Sequence, residues 1–121
     1  MADESLIKQD LLIQALTSNA ALMAKVTKIA DIVPDSQTSP YIVLGEATEN
    51  PDLLENNDAE ILTQIHIWSS YKGRKEVLEI RNLVVAALPE WCLYDGIRII
   101  KDTETNPVWF HGILQIRYFL K

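Results

Sequence analysis

A single cysteine, Cys92, stands among the 121 residues, so an internal disulfide is excluded. A structural zinc site is excluded with it, because tetrahedral zinc takes four Cys or His ligands at short spacing and the chain adds only two separated histidines, His66 and His111. The four glycines, at positions 45, 73, 96 and 112, are too scattered to cradle a phosphate. No apolar run approaches the roughly 18 residues that a membrane-spanning helix needs, and the chain opens Met1-Ala-Asp-Glu4 without a basic and apolar leader. The expectation is a protein made and used in a reducing cytoplasm, or incorporated there into something larger, with no membrane partner.

The most pointed absence is of positive charge. Residues 29 to 71 contain eight acids and no Lys or Arg, whereas residues 1 to 28 are balanced and residues 72 to 121 carry six acids against eight bases. The longest basic cluster, Lys72-Gly-Arg-Lys75, is too short to grip a phosphate backbone, so nucleic-acid binding is disfavoured. An acidic middle against a weakly basic end suits head-to-tail contact between identical copies. Acidic loops that only keep the protein soluble account for the same composition.

What is present describes an ordinary globular chain. Apolar residues make up 48% and charged residues 23%, and the length fits a single domain, residues 1–121, able to bury a core without staples. From Ile61 to Trp68 the pattern has period two: Ile61, Thr63, Ile65 and Ile67 point one way and Leu62, Gln64, His66 and Trp68 the other, as in a half-buried strand. The Tyr71-Lys-Gly73 turn stops it. Val77, Ile80, Val84, Ala87 and Leu88 then recur as a helical stripe opposite Lys75, Glu76, Glu79 and Asn82, and Leu88-Pro89 closes the helix.

Upstream, Asp3-Glu-Ser5 caps a helix whose apolar side holds Leu6, Ile7, Leu11, Leu12, Ala15 and Leu16. Thr17-Ser-Asn19 interrupts it before a short helix over 20–26. Strands are expected at 28–33 and 41–48, the second with Gly45 at a bulge or close backbone approach. The segments 97–102 and 108–120 read as a closing hairpin. In the last strand Phe110, Leu114, Ile116, Tyr118 and Leu120 share one face, and Trp109, His111, Gln115 and Arg117 the other. This order predicts an α+β fold, a mostly antiparallel sheet of four to five strands with helices packed on one face.

Catalytic patterns are missing. There is no Gly-x-Ser-x-Gly, and no serine or cysteine stands in a recognisable relation to a histidine and an acid. His66 and His111 read as surface or interface residues on the polar face of their strands, and Cys92 as a small buried hydrophobe. The acids Asp52, Glu55, Asp58 and Glu60 lack the alternating ligands and central glycine of a calcium loop, so no metal and no cofactor is expected. The stretch 49–58 is too long for a tight hairpin, and such loops order against a partner. Glu49, Asp52, Leu53, Leu54, Glu55 and Asp58 are therefore candidate assembly-interface residues, with Arg74 and Lys75 of a neighbour as their recipients. Trp109 joins them: adjacent Trp109 and Phe110 point to opposite sides of a strand, and one of them has to pack under a loop or against a partner.

Several words run in order through nearly the whole chain: a Leu/Ala helix ending in Ala20-Ala-Leu22, then Pro40-Tyr-Ile-Val-Leu-Gly-Glu46, Gln64-Ile-His-Ile-Trp-Ser69, Tyr71-Lys-Gly-Arg-Lys-Glu76 and Gly112-Ile-Leu-Gln-Ile-Arg117. With these spacings the chain resembles the tail-completion, or tail-terminator, proteins of long-tailed bacteriophages and prophages, also called head-to-tail joining proteins. The resemblance implies a small α+β virion protein that forms a ring, typically of six copies, on the end of a finished tail tube and joins it to the neck of the head. It implies no catalysis. Its partners would be further copies, the tail tube protein and a neck or head-completion protein, with DNA passing through the ring without specific binding. Its place would be the head–tail junction of a virion assembled in the bacterial cytoplasm. No short motif fixes the family's interaction residues, so none transfers to a position here. Two other readings stay open: another neck or head-closure component, or a small cytoplasmic enzyme or metabolite-binding domain with a pocket between sheet and helices.

Overall fold

The computed structural model describes residues 4–31, 38–50, 59–104 and 107–120. Three helices, α1 (Glu4–Thr17), α2 (Ala20–Lys25) and α3 (Lys75–Ala87), accompany five strands, β1 (Lys28–Ala30), β2 (Tyr41–Asn50), β3 (Ala59–Ser69), β4 (Leu93–Asp102) and β5 (Trp109–Leu120). The strands form one sheet in the order β1-β2-β3-β5-β4. Only the short β1–β2 pair is parallel. The α+β expectation holds, and both long hairpins are longer than the alternation alone had suggested: β2 runs on through Glu49 and Asn50, and β4 begins at Leu93.

The helices cover one face. Along β3 burial alternates at each step, with Ile61, Thr63, Ile65, Ile67 and Ser69 under the helices. α3 answers with Val77, Ile80 and Val84, all fully buried, and β5 contributes Leu114 and Ile116. The approach is close: a Cβ on Gly112 of β5 would lie 2.5 Å from Val77 Cγ1, so only glycine lets α3 seat over the centre of the sheet.

The break after α1 has a local cause. Asn19 caps α2, its side-chain oxygen accepting the Leu22 N–H at 2.9 Å. The start of α3 is fixed from the sheet instead. The hydroxyl of buried Ser69 donates to Glu76 at 2.6 Å and accepts the Tyr71 N–H, while Lys25 of α2 reaches Glu76 at 3.7 Å. Gly73, at φ +94°, makes the reversal between them, a conformation that costs any side-chain-bearing residue.

α1 departs from expectation. Of its apolar stripe only Leu12 and Leu16 are buried, while Leu6, Ile7 and Leu11 stand exposed. The helix lies on α2 and α3 at the rim of the layer, and that contact is narrower than the apolar side of the helix.

Candidate assembly interface

None of the described helices packs on the sheet's second face. The register sets Tyr41, Trp68, His111 and Ile100 side by side across β2, β3, β5 and β4, with Val43, His66, Ile113 and Arg98 as the next row. The first row is a ring cluster. Trp68 stacks on His111 at 3.8 Å between centroids and 11° between planes, Tyr41 lies 6.4 Å from Trp68, and Trp109 meets both edge-on at 5.8 and 6.5 Å. Offset and edge-on pairs of this kind add to simple area burial. Trp68 is therefore half-buried on the open face.

His111 is sandwiched between Trp68 and His66. The two imidazoles lie 4.8 Å apart and share a hydrogen bond, His66 Nδ1 to His111 Nε2, at 2.6 Å. Burial lowers the basicity of His111, and the neighbouring His66 lowers it further, to about 4. Burial lowers His66 too, with the Glu46 carboxylate pulling it back up. Both rings are thus neutral near pH 7, one donating and the other accepting. Gly45 makes room for them. The β2–β3 register shifts between Leu44 and Ala47, and a side chain at Gly45 would run into the His66 ring, so the bulge and the close approach foreseen at this glycine are one feature.

An open groove of about 280 Å³ borders the stack, floored by Trp68 and His111 and walled by Ile100 and residues 101–104. At the far end of the same face Arg117 reaches Glu60 at 3.5 Å and Asp95 at 3.6 Å, tying β5 to both its neighbours. Among the described residues no group of three His, Cys, Asp or Glu could hold a metal ion. The Cys92 thiol lies in the core, where burial pushes it up to about 12 and keeps it protonated. The open face thus presents an aromatic cluster beside this groove.

Of the candidate interface residues, Glu49, Arg74, Lys75 and Trp109 are among the described ones. Asp52, Leu53, Leu54, Glu55 and Asp58 lie outside the described residues. Glu49 is exposed on β2 opposite Ile61, near the start of β3, and Arg74 and Lys75 are exposed beyond its end. Eight steps along β3, from Ile61 to Ser69, lie between them, roughly 26 Å at about 3.3 Å each. Trp109 takes the open face and Phe110 the core, as their adjacency demanded. The Trp68–His111–His66 stack and the Arg117 bridges escaped the sequence reading, although period two had put all four residues on this face; what was lacking was the register of β3 against β5.

A family model described as tail completion protein gp17 matches residues 10–121. No curated protein matches the sequence. Among solved structures, the gp17 protein of bacteriophage SPP1 is similar with a TM-score of 0.67 at 22% identity, over 98% of this chain and 91% of that one. A chain of the virion of a native gene transfer agent particle is similar with a TM-score of 0.64 at 20% identity, over 89% of this chain and 90% of that one. At such identities the likeness carries the fold, while the family match spans nearly the whole sequence. The chain belongs to the tail completion protein gp17 family.

Proposed function

We propose that this protein is a structural component of a phage-type tail that assembles as a ring, typically of six copies, caps the finished tail tube and joins it to the neck at the head–tail junction. The observation that carries the reading is the family match over residues 10–121. The whole-length fold similarity to SPP1 gp17 and to a chain of a gene transfer agent virion supports it. The mechanism is geometric: a ring matching the last tube ring on one side and the neck on the other ends elongation and lets the head dock. Its partners are further copies, the tube protein and a neck protein, and DNA passes through without specific binding.

The reading assigns no catalytic step. The two histidines are spent on each other and on Trp68. The open face, with Trp109 in its ring cluster, and the stretch 49–58 are the regions proposed for assembly. Native mass spectrometry across a concentration series tests the ring: a closed oligomer emerging at high concentration supports it. Monomers at every concentration, with no change on adding tails, would contradict it.

A further inference from the structure

Charge is sorted along the strands. At the end where β3 gives way to α3, the chain brings together Lys28 beside Tyr41, the turn with Lys72, Arg74 and Lys75, and Lys101 on β4. The turns touch, since Ser70 N–H donates to Ser39 Oγ and Thr27 N–H to the Pro40 carbonyl. None of these five cations makes an ion pair among the described residues, whereas Lys25 is taken by Glu76 and Glu79. Glu104 and Glu79 are exposed acids at this end, the second paired with Lys25, and Asp102 is engaged by the Glu104 N–H. At the opposite end Glu49 and Glu90 are exposed, Arg117 is neutralised by Glu60 and Asp95, and Lys8 lies over the Trp91 ring.

Within one copy the two ends cannot neutralise each other, because roughly 26 Å of strand exceeds the ~10 Å screening length at 0.1 M salt more than twofold. A second copy can. Complementary patches on opposite ends of one body suit a closed head-to-tail ring, each copy's basic end meeting the next one's acidic end in a contact that repeats around the ring. Nucleic acid fits less well, since five dispersed cations beside Glu104 and Glu76 make a poor phosphate track.

We infer that the basic end, centred on Lys72, Arg74 and Lys75, docks on the acidic end of a second copy bearing Glu49 and Glu90, making the repeating contact of the ring. The inference rests on the ring reading above and names the contact within it. Charge-swapped chains test it by native mass spectrometry at low and high salt. One chain carries Lys72→Glu, Arg74→Glu and Lys75→Glu; the other carries Glu49→Lys and Glu90→Lys. All five side chains are exposed, and a melting curve confirms that each variant folds.

Each variant alone should lose rings by about tenfold or more at equal concentration, the effect of roughly 1.4 kcal/mol. The wild-type ring should weaken with salt. An equimolar mixture should recover even-numbered rings of alternating chains, because every contact is again between opposite charges. A folded lysine-reversed variant that forms rings like the wild type overturns the contact while leaving the ring reading intact. So does a mixture that stays dissociated, which would send the basic end to a different acidic protein, and so does loss of binding to a DNA duplex with ring yield unchanged. Absence of wild-type rings in every condition, on tails included, would fail the ring reading itself.

Discussion

The His66–His111 pair makes stability depend on pH in a calculable way. His111 is held near 4 in the folded protein and His66 is lowered as well, against about 6.5 for a histidine in an unfolded chain. Between these values the unfolded state binds more protons than the folded one, so stability rises with pH across the window. It is complete above about pH 6.5 and is lost as pH falls toward 4. At 1.36 kcal/mol per pH unit, acidification from 7 to 5 would cost about 2 kcal/mol for a fully buried ring. His111 is half-buried, and solvent screening reduces this to about 1 kcal/mol, or roughly 4 °C in Tm for a domain of this size. Thermal melts at half-unit steps between pH 5 and 7 should show this slope, and a His66→Gln/His111→Gln variant should lose it while carboxylate titration below pH 5 persists. NMR titration of the imidazoles gives the direct check. Both rings titrating above pH 6, or a double variant with the wild-type slope, would refute the reasoning.

Four substitutions test the packing. Gly112→Ala should cost about 1–3 kcal/mol by pushing on Val77 and lifting α3, read by chemical denaturation. Gly73→Val, placing a β-branched residue at φ +94°, should cost about 1–3 kcal/mol with no steric clash nearby. Ile65→Ala, in the sealed core, should cost 2–5 kcal/mol, about the upper range for a buried aliphatic side chain, whereas Trp68→Ala on the open face should cost less. The same melt series ranks the last two, and the reverse order would place Trp68 in the core.

Much of the architecture was legible because it depends on local periodicity. The alternation from Ile61 to Trp68 and the Val77–Ile80–Val84 stripe each named their buried faces correctly. The same reasoning separated Phe110 from Trp109. What depends on non-local pairing was not legible. His66 and His111 meet only because β5 inserts between β3 and β4 in one register, and no short-range signal encodes that choice. The stripe on α1 was visible, but periodicity says which side is apolar and not how much of it another element covers, and Leu6, Ile7 and Leu11 on that side lie outside the core. Charge behaved similarly. The acidic middle and basic end are a matter of counting, while the placing of Glu49 and the Lys72–Lys75 turn toward opposite ends of β3 follows from strand direction.

The central claim is that this protein completes a tail by ring formation on its end. Negative-stain microscopy of the purified protein, with and without tails isolated from particles lacking it, tests that claim most directly. The account predicts a single ring of density at one end of each tail and restored joining to heads. Tails left bare at saturating protein, or decorated along their length, would contradict it.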